Sequence, residues 1–150
     1  MARVELDIHV NAPIDRVWQL ITDLDTQERW MEDVHSLDVV YRTPSLEGSV
    51  IKVTSKLFGV PLLHDVMVIT KVEAPRTLEI VHTGAFSGKG AFRLTEEGEG
   101  TKFSWEEEFE PPLGQAGEMA VAHVIEPHLR QVWGKSMQNV KRLAEAATAA

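Results

Sequence analysis

The stretch Thr101-Lys102-Phe103-Ser104-Trp105-Glu106-Glu107-Glu108-Phe109-Glu110, followed by Pro111-Pro112 and a long helical pattern, decides how the rest of the chain reads. Thr101, Phe103, Trp105, Glu107 and Phe109 form one alternate set and Lys102, Ser104, Glu106, Glu108 and Glu110 the other. This period of two predicts a strand with one apolar face, on which Glu107 is the lone charge. Past the two prolines the period becomes 3.6. Ile125, Leu129, Val132, Trp133, Val140, Leu143 and Ala147 fall on one stripe with Ser136 as its polar member, while Arg130, Lys135, Gln138, Lys141, Arg142 and Glu145 lie off it. Pro127 removes one backbone bond and frees the carbonyl of His123, so a kink or a fresh start is expected there.

Working back from this strand, segments 34–42, 48–57, 62–73, 77–84 and 88–95 read as further strands. They are separated by turn material: Pro44 to Gly48, Gly59-Val60-Pro61, Glu73 to Arg76, Gly84 to Gly88 and Glu96 to Gly100. Connections this short favour antiparallel neighbours. At the N-terminus, Arg3, Glu5, Asp7 and His9 alternate with Val4, Leu6, Ile8 and Val10, which predicts one more strand. Pro13 opens a short helix with Ile14, Val17, Trp18 and Ile21 on its buried side. Asp25 and Glu28 have capping-box spacing and suggest a second short helix to about Trp30. The order gives an α+β fold: a curved seven-stranded antiparallel sheet around the long C-terminal helix, with two short helices between strands 1 and 2. Strand 1, split from the meander, is expected to pair with strand 7. Only the last helix is long enough to cover the apolar face.

Composition narrows the function. At 150 residues one domain spanning 1–150 is expected. The net charge of −8, with no basic run, disfavours nucleic acid and anionic membrane surfaces as partners. The absence of cysteine excludes disulfides, thiolate catalysis and Cys-ligated metals. No secretory signal pattern and no apolar run near the ~18 residues of a membrane span occur, so a cytoplasmic protein without stable membrane insertion is expected.

Several phrases resemble the START/SRPBCC superfamily, in its polyketide cyclase/dehydrase and lipid-transport branch, which shares the helix-grip fold of the birch-pollen allergen. They are Ala12-Pro13-Ile14-Asp15-Arg16-Val17-Trp18, Trp30, Val72-Glu73-Ala74-Pro75-Arg76-Thr77-Leu78, Phe92-Arg93-Leu94-Thr95, Gly100-Thr101 and Trp105 before Pro111-Pro112, and the stretch Ser136 to Leu143. The resemblance covers essentially the whole chain. It implies an internal cavity between sheet and helix for a small hydrophobic molecule. It does not choose among the superfamily's lipid carriers, hormone-binding proteins, aromatase/cyclases and oxygenase subunits.

Within such a cavity, strand parity turns Glu107 inward, and His82 follows Leu78 and Ile80 on one face of the fifth strand. These two are the candidate acid and base. His64 has a weaker claim, because both alternate sets of 62–73 are apolar. The expected ligand contacts are Trp30, His82, Phe92, Phe103, Trp105, Glu107, Ile125, Leu129, Trp133 and Ser136, with Trp18 assigned to the core. His123 and His128 diverge by about 140° around a helix and share no metal without distortion. No metal or cofactor is expected. Gly84, Gly88, Gly90 and Lys89 form a hairpin between strands, not a phosphate loop leading into a helix. The apolar tip Leu57-Phe58-Gly59-Val60-Pro61-Leu62-Leu63 reads as a cavity rim, a homodimer contact, a membrane probe, or a segment folded back on the protein. Three functions stay open: a carrier or sensor for a lipid, polyketide-like or aromatic ligand; a cyclase, aromatase or dehydratase using His82 and Glu107; and an interaction module with a filled cavity.

Overall fold

Val4 and Val10 are buried and Leu6 and Ile8 half-buried in strand β1 (Ala2–Val10), while Arg3, Glu5, Asp7 and His9 stay in solvent, as the alternation requires. The computed structural model describes residues 2–110 and 114–148. After Pro13, helix α1 (Ile14–Thr22) buries Val17 and Ile21 and packs Trp18 half-exposed against the same core. The second helix shrinks to a single 3-10 turn, Gln27–Arg29. No capping box forms there. Glu28 Oε1 instead accepts the backbone N–H of Leu37 (2.9 Å), and Asp25 pairs with Arg42 (2.6 Å), so both carboxylates tie the turn to the following strand region.

Strands β2 (Val34–Tyr41), β3 (Val50–Leu57), β4 (Val60–Glu73), β5 (Thr77–Gly84), β6 (Ser87–Glu97) and β7 (Gly100–Glu110) complete a curved antiparallel sheet in the order β1-β7-β6-β5-β4-β3-β2. Strand β1 pairs with β7 as expected, placing Val4 opposite Glu107 and Leu6 opposite Trp105. Every odd residue of β7 from Thr101 to Phe109 is buried. One turn differs from its sequence reading. Leu57 pairs with Val60, so the β3–β4 hairpin turns on Phe58-Gly59 alone, both with positive φ (52° and 80°). Two-residue turns of that hand match the twist of the flanking strands, and this one leaves Val60 and Pro61 in β4 instead of in the turn.

At the C-terminus α2 (Gly114–Ala120) runs through a π-helical turn, Val121–Ile125, into α3 (Glu126–Thr148). The interruption expected at Pro127 thus takes the form of a wider turn just before it, where the missing N–H and the ring meet a ladder already out of α register. Leu129, Trp133, Ser136, Met137, Val140 and Ala144 are the buried face of α3, with Val132 and Leu143 half-buried. This face is rotated from the predicted stripe, which omitted Met137 and Ala144. Pro111-Pro112 and the side chain of Ala147 lie outside the described residues. Helix α3 packs on β1 and α1, with Val4, Val10, Val17, Ile21, Phe103, Met137 and Val140 among its solid core.

Candidate functional site

The C-terminal half of α3 packs into that solid core, and Leu129 and Trp133 from its first half turn toward the concave face of the sheet. Between them and the concave face lies a cavity of about 140 Å³. Its walls are chiefly aliphatic: Ile51 and Val53 of β3, Leu63, Met67 and Ile69 of β4, and Leu78 and Ile80 of β5. Trp105 of β7 and Trp133 of α3 stack on one another at its wall, with ring centroids 5.0 Å apart and planes 17° from parallel. Phe92 meets Trp105 edge-on at 5.2 Å, and Trp30 braces both from behind at 5.9 and 6.3 Å. Edge-to-face and offset contacts of this kind are favoured by the ring quadrupoles and hold the wall rigid.

Among the described residues, four ionisable side chains face this apolar space. His82 Nε2 lies 3.0 Å from Glu107 Oε2, and its Nδ1 contacts the carbonyl of Phe86. A carbonyl only accepts, so Nδ1 carries a proton. Trp105 Nε1 donates to the other oxygen of Glu107 at 3.1 Å. Burial opposes a charge on His82, but the hydrogen bond and negative charge of Glu107, with the Phe86 carbonyl and Asp65, outweigh it and raise the imidazole pKa above its ordinary value. Glu107 reaches this position because Gly90 stands opposite it on β6. A Cβ at Gly90 would sit 2.4 Å from Glu107 Oε1.

The other two carboxyls were not found from the sequence. Asp33, just before β2, accepts a hydrogen bond from Trp133 Nε1 at 3.0 Å; burial raises its pKa, against the pull of that bond. Asp65 of β4 is also raised by burial, with the charge of His82 and the backbone of Phe86 and Ala85 pulling the other way. Its Oδ1 is buried without a hydrogen-bond partner.

Of the expected contacts, His82, Phe92, Trp105, Glu107, Leu129 and Trp133 line the cavity. Trp30, Phe103, Ile125 and Ser136 do not. Trp30 and Phe103 point inward but are fully covered behind Phe92. Ile125 sits in the π turn, half-buried against the core. The hydroxyl of Ser136 is spent within the fold, accepting Glu32 N–H and donating to the Val132 carbonyl. His64 faces solvent beside Thr54, because the odd residues of β4 are the inward ones. At the hairpin tip, Phe58 folds back onto α3: its ring stacks on His128 (centroids 4.3 Å) and its backbone N–H donates to His128 Nε2 at 3.1 Å. Val60 and Leu62 remain exposed. Among the described residues, no three His, Cys, Asp or Glu side chains are grouped to hold a metal, and no helix is long and apolar enough to cross a membrane.

The family model described as polyketide cyclase / dehydrase and lipid transport matches residues 1–145. The chain belongs to this family. Solved structures similar to this family member include the TTHA0849 protein of Thermus thermophilus, at 19% identity and a TM-score of 0.80, with 97% of this chain and 99% of that one covered. The Zhui aromatase/cyclase of Streptomyces sp. R1128 is similar at 15% identity and a TM-score of 0.73, covering 96% and 93%. A START superfamily protein of Mycobacterium smegmatis matches at 14% identity and a TM-score of 0.68, covering 91% and 97%. At these identities the likeness is one of fold, the helix-grip architecture. No curated protein matches the chain in sequence.

Proposed function

We propose that this family member binds a small hydrophobic molecule between its sheet and α3, as a carrier or sensor. The observation that carries the reading is the cavity itself, bounded by aliphatic side chains and the stacked Trp105–Trp133 pair. Apolar burial of about 25 cal/mol per Å² supplies the affinity, less the cost of ordering the ligand. A space of about 140 Å³ favours a compact one- or two-ring body over a long acyl chain; an apolar protein cavity of roughly 150 Å³ is enough for benzene. An open cavity also argues against the reading as an interaction module filled by its own side chains.

Native mass spectrometry of freshly purified protein tests this. A releasable small-molecule adduct is expected, or, for empty protein, movement of the Trp105 and Trp133 indole N–H signals on adding toluene. An adduct-free spectrum together with unmoved signals overturns the reading.

A second reading, proton transfer during cyclisation or dehydration, is favoured by one feature. His82 and Glu107 form a buried imidazole–carboxylate pair in the lining of the cavity. His82→Gln and Glu107→Gln separate the two readings: a carrier retains binding, whereas an enzyme retains binding and loses turnover.

A further inference from the structure

The β3–β4 hairpin forms part of the cavity wall and carries a hinge. Its arms place Ser55 and Leu63, a cross-strand pair, in the lining. Directly beyond them the register shifts: Lys56 pairs with Pro61, so Leu62 is the extra residue of a bulge. A bulge interrupts the ladder and bends the strand, and Pro61 has no N–H to give it. The base of the hairpin is tied toward β2 by the Lys56 N–H on the Asp33 carbonyl (2.6 Å). Past the hinge, Val60 and Leu62 are exposed and Phe58 alone reaches across to α3. Its N–H donates to His128 Nε2 at 3.1 Å and its ring stacks on the imidazole. Leu129, next to His128, lines the cavity too, so this contact bridges two of its walls. The rest of α3 packs chiefly on β1 and α1, toward the opposite edge of the sheet.

That bond fixes the protonation state of His128. An amide N–H only donates, so Nε2 holds the lone pair and the ring proton sits on Nδ1. A proton on Nε2 sets two donors face to face and removes the bond. The charged groups nearby do not restore it. Asp33, before β2, interacts electrostatically with both His128 and Lys56. It draws an imidazolium toward itself, while the Lys56 ammonium repels one. On α3 itself, Glu126 is paired with Arg130.

We propose that His128 is a pH-operated latch on the cavity: the neutral imidazole holds the β3–β4 tip against α3, and protonation releases the tip and opens a path to the bound molecule. The gating half rests on the cavity being a binding site; the latch itself does not. Histidine is the side chain suited to such a switch, because imidazole changes charge within the physiological range. The bulge at Leu62 lets the tip move without unzipping the Ser55–Leu63 pair, so the sheet keeps its register while the wall opens.

NMR of the unaltered protein between about pH 8 and about pH 5.5 reads the latch without any ligand. The Phe58 amide signal should move with the same midpoint as the His128 ring signals. Its solvent exchange, corrected for the intrinsic effect of pH, should quicken by about tenfold, the scale of one lost hydrogen bond. Toluene dissociation, from the line shape of the Trp133 indole signal, should be several-fold faster at the acid end. His128→Gln supplies an acceptor that does not titrate and should hold the tip closed throughout. His128→Phe keeps a ring to stack but no acceptor, and should release toluene quickly at both ends. A Phe58 amide that ignores the titration of His128, or a pH dependence that survives in His128→Gln, overturns the latch. A latch that titrates while toluene rates stay constant overturns its gating of the cavity. If toluene moves no signal at either pH, the gating half falls with the cavity reading, and the Phe58 amide still decides the latch.

Discussion

His82 Nε2 and Glu107 Oε2 face one another at 3.0 Å between β5 and β7, separated along the sheet only by β6. Glu107 also accepts from Trp105, so removing its carboxylate leaves two buried donors without an acceptor. Glu107→Ala is expected to cost about 3 kcal/mol, the scale of breaking a buried pair from one side. Urea denaturation checks it: the midpoint should fall with an unchanged slope.

The same pair sets a pH dependence. The folded state holds the His82 proton more tightly than the unfolded chain, whose reference value is 6.5. The stabilisation is therefore complete below about pH 6.5 and is lost as pH rises through the higher folded value. Histidine NMR titration should find His82 protonated above the pH at which exposed histidines lose their protons, and His82→Gln should flatten this part of the stability profile.

Asp65 obeys the same sign rule with a different consequence. Its carboxyl is raised from 3.8, so stability is lost as pH climbs through the folded value and a buried charge develops. Asp65→Asn should raise the thermal midpoint at pH 7 by a few degrees, on the order of 1 kcal/mol for an unsatisfied acceptor. The gain should vanish near pH 4. Equal gains at both pH values would show that Asp65 ionisation is not the cause.

Two glycines give contrasting outcomes. Gly90→Ala puts a Cβ against the Glu107 carboxylate and should destabilise by about 1–3 kcal/mol while loosening the His82 contact. Gly134→Ala, in α3, meets nothing within 4 Å and should stabilise by about 0.5–1 kcal/mol. Thermal unfolding of the two variants side by side checks both signs.

Phe58 occupies the left-handed region at φ 52° and is 55% exposed overall. Phe58→Asn suits that backbone better but loses the stack on His128. Global stability should change by less than about 1 kcal/mol, whereas dissociation of a bound probe should quicken several-fold in stopped-flow traces. An unchanged dissociation rate would mean that the hairpin does not guard the cavity.

The sheet was legible because its inward and outward residues differ in kind, and the parity of β7 and β5 alone turned Glu107 and His82 inward. Asp65 was hidden by the same logic. Leu62, Val66 and Val68 on the outer side of β4 are as apolar as Leu63, Met67 and Ile69 within, so the pattern carried no direction. Asp33 precedes β2, where there is no period to read. Parity also gives a face but not a depth, which is why Trp30 and Phe103, correctly inward, proved to lie behind Phe92 instead of at the cavity surface. Ser136 shows a further limit: a buried hydroxyl on the right stripe was already taken by a backbone N–H of Glu32.

The pairing of β1 with β7 also fixes the order of events during folding. Ala2 meets Phe109 and Val10 meets Thr101, contacts separated by about a hundred residues of chain. A polypeptide emerging from the ribosome can zip β2 through β6 locally, one hairpin at a time, while β1 waits without a partner. Only when β7 arrives does β1 dock, and the same strand delivers Glu107 and Trp105 to the interior. A nascent chain arrested before β7 therefore has an unpaired leading strand and lacks both of these cavity residues, and its exposed apolar face is a target for chaperone capture.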